Sequence, residues 1–162
     1  MNTGQAHYKR ALAEVRKQNP DKEQLENLLT ASIDREEPLA MYALGSLLFH
    51  GHIVSRNRAK GITLFKEAAE YKVPDAIFEL AVAYERGTGV TQSDNLAFHY
   101  YNRAALQGDG QSHFEVGRCY YYGIGVKKSK QHSEIWFEKA EELGITYEQV
   151  DKRVTSSKLE FA

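Results

Sequence analysis

The sequence lacks several features that would point to particular classes of protein. Its single cysteine, Cys119, excludes an internal disulfide framework, and a chain of 162 residues with 42% hydrophobic residues can bury a core without one. Charge of one sign is not in excess, because 21 basic and 22 acidic side chains leave a formal net charge of -1. A general attraction to nucleic acid or to an anionic membrane is therefore not expected.

Long apolar runs are absent as well. No stretch approaches the roughly 20 residues that span a bilayer, and residues 1–19 contain no apolar core of signal-peptide length. We therefore expect a soluble chain that is neither exported nor inserted in a membrane. A lone free thiol is typical of a reducing compartment, so the expected location is cytoplasmic.

Proline is scarce, and the spacing of the few prolines reveals an internal repeat. Pro38 and Pro74 lie 36 residues apart, and alignment at this offset brings three consecutive copies into register without insertions. The matching columns include Ala40, Ala76 and Ser112; Leu44, Leu80 and Val116; Gly51, Gly87 and Gly123; and Val54, Val90 and Val126. Chance similarity does not align so many columns, so the chain is predicted to be a repeat array.

Each copy has the pattern of a helical hairpin. Small and apolar residues recur three or four positions apart in its first half, as in an amphipathic helix. Gly87 and Gly123 then allow the positive φ that ends a helix and reverses the chain. Asn57, Ser93 and Ser129 follow at equivalent positions, where their side chains can cap a second helix.

The two ends of the array differ from the three full copies. Residues 5–38 predict a hairpin that is an N-terminal cap or a decayed repeat, with its second helix beginning after Asp21, and residues 146–160 predict a C-terminal capping helix. The three full hairpins are residues 39–74, 75–110 and 111–145. The expected fold is all-α, a right-handed α-solenoid of helix-turn-helix repeats with about nine helices in a single domain, 1–162.

The repeat resembles the Sel1-like repeat family, whose units carry the pattern A-x-x-x-L-G-x-x-Y-x-x-G-x-G-V followed by an aromatic residue and K-A-A. The second copy matches it with Ala76, Leu80, Tyr84, Gly87, Gly89, Val90, Ala97, Tyr101, Ala104, Ala105 and Gly108. The third matches it with Gly117, Tyr120, Gly123, Gly125, Val126, Trp136, Phe137, Lys139, Ala140 and Gly144. The first departs from it, with Leu48 in place of the tyrosine and Ile53 in place of the second glycine.

This resemblance implies a shape like that of tetratricopeptide arrays and a role as an adaptor or scaffold for other proteins. The implied partners include signalling proteins and, in bacteria, secretion-related or toxin-neutralising partners. The resemblance brings no catalytic centre and no cofactor with it.

The expected site for a partner protein or peptide is the concave groove, because stacked hairpins place their first helices on the concave wall. When the alanine column is position one, the leucine at five and the tyrosine at nine face the core, so positions seven, ten and eleven point away from it. The residues there are Ser46, Phe49 and His50; Val82, Glu85 and Arg86; and Arg118, Tyr121 and Tyr122. Arginine and large aromatic residues favour an interface over a solvated face.

Packing within the array is the alternative for some of these aromatic residues. Phe49 and Tyr121 can instead lie against the next helix, which is ordinary in such arrays. A second aromatic column at position three, formed by Tyr42, Phe78 and Phe114, is interpreted as framework with an edge exposed in the groove.

No catalytic or metal site is predicted. The paired glycines of each loop follow no strand and complete no phosphate-binding motif, so loop closure explains them better. His50 and His52 are two residues apart, a spacing that places side chains on different sides of a helix, and they lack a third ligand. Cys119 lies in a core-facing row and is interpreted as a small buried hydrophobe.

A short basic cluster formed by Lys127, Lys128 and Lys130 precedes the last second helix. Three charges in a loop are typical of a solvated tip, although they can also steer an acidic partner. We favour the solvated tip.

The function expected from the sequence is a non-enzymatic module that binds another protein as an adaptor or regulator. One alternative is an immunity protein that neutralises a toxin made by the same bacterial cell. The other is a small-molecule binding or hydrolytic member of the broader family, whose secreted members are cysteine-rich, unlike this chain.

Overall fold

The structure is a computed structural model that describes residues 3–146. Within this range the chain forms eight α-helices and no β-strand, which confirms the all-α prediction. The helices are α1 (Thr3–Val15), α2 (Lys22–Ile33), α3 (Pro38–His50), α4 (Arg58–Glu70), α5 (Pro74–Arg86), α6 (Asp94–Leu106), α7 (Gly110–Tyr122) and α8 (Lys130–Glu142). Apart from its first residue, the helix predicted at residues 146–160 lies outside the described residues.

The second helices of the repeats begin at the predicted caps. Asn57 accepts a hydrogen bond from the Lys60 N–H at the start of α4. Ser93 and Ser129 do the same for α6 and α8. Each cap satisfies one of the N–H groups that a helix leaves without an internal partner, so these polar residues explain why each second helix begins where it does.

The first helices of the repeats end at left-handed glycines, as predicted. Gly51, Gly87 and Gly123 have φ values of 76°, 66° and 75°, and each donates its N–H back to a carbonyl in the last turn of its helix. A left-handed residue without a Cβ atom reverses the chain at little cost, so these glycines separate the two helices of each hairpin.

By its internal contacts the chain divides into a first unit that ends at Gln92 and a second unit that begins at Ser93. In the first unit, consecutive helices from α1 to α5 pack on one another around Leu25, Leu29, Phe65, Ile77 and Leu80, all fully buried. Burial of this apolar surface is the main stabilising contribution to the unit.

The second unit has a smaller core in which α7 packs on both α6 and α8. Phe114 and Ala140 are buried there, with Phe137 and Ile145 packed against them. Gly117 lets α7 and α8 approach closely, because a Cβ atom at this position would lie 2.7 Å from Phe137 Cδ1. The glycine column of the repeat therefore accommodates the aromatic residue of the opposite helix.

The connection between α1 and α2 contains no glycine and is held by a buried carboxylate instead. Glu14 Oε1 accepts a hydrogen bond from the Asp21 N–H at 2.8 Å, and Lys17 Nζ lies 2.5 Å from Glu14 Oε2. Asp21 in turn caps α2 by accepting from the Gln24 N–H at 3.0 Å. The hydrogen bond from Lys17, followed by that from Asp21, lowers the pKa of Glu14 from its ordinary value.

None of the helices that the structure describes is long and apolar enough to cross a membrane.

Candidate partner-binding surface

In the first unit, the predicted surface residues lie at the ends of α3 and α5. Arg86 is exposed, whereas Ser46, His50, Val82 and Glu85 are partly buried.

The prediction that Phe49 points outward is wrong, and the alternative of packing within the array is observed. Phe49 is only 7% exposed, and its ring lies 5.5 Å from the ring of Phe65 in α4. The cause is Gly61, whose missing side chain leaves room for it: a Cβ atom on Gly61 would lie 2.9 Å from Phe49 Cβ. A glycine inside the second-helix pattern was the available sequence signal, since such a residue marks a close approach.

The expectation that His50 and His52 lie on different sides of a helix is also wrong. Helix α3 ends at His50, and left-handed Gly51 turns the chain back so that the two imidazole rings stack 5.7 Å apart. His50 Nε2 lies 3.7 Å from Glu79 Oε2 of α5, a partner that the linear sequence does not reveal. In residues 3–146 no group of three or more histidine, cysteine or acidic side chains is placed to hold a metal ion.

In the second unit, two large aromatic side chains stand exposed at the end of α7. Tyr121 is 56% exposed and Tyr122 is 60% exposed, and their rings meet edge to face 4.9 Å apart. Tyr121 occupies the same repeat position as Phe49. Tyr121 is exposed, as predicted for this position, whereas Phe49 is buried. Ser133 of α8 stands at the repeat position of Gly61 in α4, so the helix opposite Tyr121 carries a side chain where the helix opposite Phe49 has none.

Arg118 is anchored on its own helix. Its Nε donates a hydrogen bond of 2.6 Å to Oε2 of Glu115, a carboxylate that is almost fully buried. Residues three apart share a helix face, so the Glu115–Arg118 spacing was the sequence signal for this ion pair. The pair holds the arginine stem against α7 and restricts where its guanidinium can lie.

The aromatic column at position three behaves mainly as framework. The Phe114 ring lies 5.0 Å from that of Phe137, and the Tyr42 ring lies 6.0 Å from that of Phe65. Tyr42 and Phe78 keep part of their surface exposed, as interpreted from the sequence.

The basic loop between α7 and α8 is exposed, as expected. Lys127, Lys128 and Lys130 all lie at the surface, and Lys130 Nζ is 3.7 Å from Glu134 Oε1. The Lys128 side chain folds back over the end of α7, because a Cβ atom on Gly123 would lie 2.8 Å from Lys128 Cγ. A cation at this place is favoured by the partial negative charge of the helix C-terminus.

The thiol and the paired glycines have the structural roles predicted from the sequence. Cys119 has no exposed surface and sits in the core of the second unit, as predicted. Gly89 and Gly125 have φ values of 74° and 65° within the connections between helices. Their backbone conformation supports the interpretation as chain-reversing residues.

Comparison with known proteins bears on the fold and on the family. The Sel1 repeat model matches residues 38–70, 74–109 and 110–145. A Sel1 repeat protein from Oxalobacter formigenes has a similar structure, with a TM-score of 0.82 and 27% identity over 89% of this chain and 60% of that one. This likeness assigns the fold to the α-solenoids built of helix-turn-helix repeats.

The curated relatives are longer proteins. Activator of C kinase protein 1 from Saccharomyces cerevisiae is 27% identical over 136 residues, which is 72% of this chain and 22% of that protein. The chain therefore spans about a fifth of the length of this relative.

The structure is less similar to that of the immunity protein PA5088 from Pseudomonas aeruginosa. Its TM-score is 0.59 and its identity is 21%, over 87% of this chain and 52% of that one. Identity at this level shows a shared fold alone. Because three consecutive matches to the Sel1 repeat model cover residues 38–145 with only a short gap, the chain belongs to the Sel1 repeat family.

Proposed function

We propose that this chain binds another protein through the outward positions of its first helices and acts as an adaptor or regulator without chemistry of its own. The observation that carries the proposal is the exposure of Tyr121 and Tyr122 at 56% and 60%. Tyrosine and arginine are the residue types that dominate binding energy at protein interfaces, because they bury a large area for little loss of freedom.

The family supports the same function. Sel1 repeat proteins are typically interaction modules, and the yeast relative is named as an activator of a kinase. Adaptor and regulator are therefore the roles put forward, with the concave groove as the predicted location of the site.

Site-specific photocrosslinking tests the proposal. A photoreactive phenylalanine derivative would replace Tyr122 in one variant and His99 in a second, and each would be irradiated in cells of the source organism. His99 is an exposed position on α6, a second helix, and so provides a matched control. We expect a discrete protein adduct from position 122 and none from position 99. Adducts from position 99 alone would place the site on the second helices and overturn the proposal.

Identification of the adduct separates this role from the alternatives. An adduct with a toxin, together with protection of cells that express that toxin, would make the chain an immunity protein. The likeness to PA5088 shows the fold alone and does not favour this role. A bound small molecule or a hydrolytic product would point to the remaining alternative, which the burial of Cys119 does not support.

A further inference from the structure

The third repeat alone combines exposed aromatic rings with an excess of basic side chains at the end of its first helix. Residues 116–132 contain Arg118, Lys127, Lys128 and Lys130 and no acidic residue. Arg118 is paired with Glu115 and Lys130 lies near Glu134, both just outside this range, so the local positive charge is mainly that of Lys127 and Lys128. The equivalent residues of the second repeat, 80–96, contain Glu85, Arg86 and Asp94, so the repeat itself does not require positive charge here.

The first repeat has Arg56, Arg58 and the exposed Lys60 at the corresponding place, but the structure uses the two arginines differently. Arg56 Nε donates to the His50 carbonyl oxygen at 3.3 Å, and Arg58 is partly buried. The aromatic residue of that helix end, Phe49, is in the core. The first unit therefore presents no exposed aromatic pair beside its basic loop.

The end of α7 presents aromatic rings and ammonium groups side by side, and these complement a ligand that is both apolar and acidic. The edge-to-face pair of Tyr121 and Tyr122 provides an apolar surface with two hydroxyl groups that can donate hydrogen bonds. Lys128 lies against Gly123, the residue directly after Tyr122, and Lys127 is exposed beside it. The ammonium groups attract the carboxylates of such a ligand. The aromatic rings beside them can contact an apolar side chain that lies between those carboxylates.

We propose that this end of α7 receives an acidic segment of the partner, in which Asp or Glu residues flank an apolar side chain. The inference rests on the proposed function and names the chemistry of its partner. The apolar side chain lies on the tyrosine pair, and the flanking carboxylates meet Lys127 and Lys128.

A nucleic acid fits the surroundings less well than a short acidic segment. Helix α8, the other half of the same hairpin, carries the exposed carboxylates Glu134, Glu138, Glu141 and Glu142. These carboxylates would repel the phosphates of a nucleic acid that extends from the basic loop along α8. The chain as a whole also has a net charge of -1, which does not attract a polyanion. A peptide with a few acidic residues is short enough to contact the loop alone.

Fluorescence anisotropy with the full chain tests the inference. The probe is a labelled peptide in which Glu alternates with Leu, and the reference peptide carries Gln at every Glu position. We expect the acidic probe to bind, its affinity to fall as salt rises, and the Gln peptide to bind at least tenfold more weakly, about the effect of removing the charges from such a contact.

Matched variants locate the site. Replacement of Lys127 and Lys128 by Gln should weaken binding of the acidic probe about tenfold, and Tyr121→Ala with Tyr122→Ala should do at least as much. The control is Lys22→Gln with Lys60→Gln, two exposed lysines of the first unit whose loss changes the net charge equally. Thermal unfolding of each variant verifies that the fold is retained.

Several results would overturn the inference. These are no binding of the acidic probe, equal loss in the Lys22 and Lys60 control, or tighter binding of single-stranded RNA or of anionic vesicles than of the acidic peptide. If the crosslink from position 122 persists unchanged in the Lys127 and Lys128 variant, the partner still binds there and only the acidic chemistry is wrong. If position 122 gives no crosslink, the proposed function itself fails.

Discussion

The two units differ in which types of residue adopt the left-handed backbone conformation. In residues 93–146, the described part of the second unit, all such residues are glycines: Gly108, Gly123, Gly125 and Gly144. In the first unit Glu36, Ile53 and Lys72 also take this conformation, with φ values of 57°, 66° and 60°. Glu36 and Lys72 stand two repeat lengths and one repeat length before Gly108, respectively, and Ile53 stands one repeat length before Gly89. The same turn therefore forms with or without glycine, at the cost of backbone strain when a Cβ atom is present.

Contact with neighbouring backbone decides where glycine is required. A Cβ atom on Gly125 would collide with the Asp94 carbonyl oxygen at the start of α6. A Cβ atom on Gly108 or Gly144 would meet no described atom within 4 Å. Left-handed conformation alone tolerates a side chain, as Lys72 shows, whereas the combination of that conformation with a close backbone approach does not.

The largest expected effect comes from Gly125→Ala. The added methyl group combines strained φ with a collision that only a backbone shift can relieve, so we expect a loss of about 3–4 kcal/mol in the free energy of unfolding. Gly144→Ala keeps the strain without the collision and should lose about 1 kcal/mol. Urea unfolding followed by circular dichroism measures both. Similar losses in the two variants would show that the close approach at Gly125 contributes nothing.

The connection between α1 and α2 is held by the buried carboxylate of Glu14 and should therefore be sensitive to acid. The lowered pKa of Glu14 means that its stabilising contribution is present above its ordinary pKa of 4.5 and is lost as the pH falls through the lowered value. We therefore expect Glu14→Gln to lower the melting temperature at neutral pH, and the difference from the parent to narrow in acid. Glu26→Gln, an exposed carboxylate of α2, is the control. A constant difference across the pH range would contradict the assignment.

The smallest effect tests the strained turns of the first unit. Lys72→Gly removes a Cβ atom from a left-handed, exposed residue, so it should stabilise the chain by about 0.5–1 kcal/mol. Lys60→Gly makes the same change within the first turn of α4 and should destabilise it by about the same amount. Thermal and urea unfolding compare the two. Destabilisation by both variants would mean that the left-handed backbone of Lys72 is not strained by its Cβ atom.

Much of the local structure could be predicted because its causes lie close together in the sequence. Asn57 and Ser93 cap helices that begin with the next residue, and Gly87 ends a helix through its own φ. A helix cap depends on residues within one turn, so propensity and spacing are sufficient to place it.

The candidate surface could be predicted only in part. Position ten of the repeat points into the core at Phe49 and into solvent at Tyr121, although the spacing is the same. The opposite helices of the two hairpins differ at the equivalent position, which is Gly61 against Phe49 and Ser133 in the third repeat. The spacing within the first helix does not reveal this difference. The stacking of His50 and His52 likewise depends on the left-handed turn at Gly51 and not on helical spacing.

The sequence by itself determined the repeat length, the all-α fold, the caps and the family, because these follow from the order and spacing of residues along one chain. Only the tertiary structure decided which aromatic residues of the repeated position are exposed, which carboxylate lies near His50, and why Gly125 has no room for a side chain. Each of these depends on atoms that are far apart in the sequence, and the distance between such atoms is set by packing.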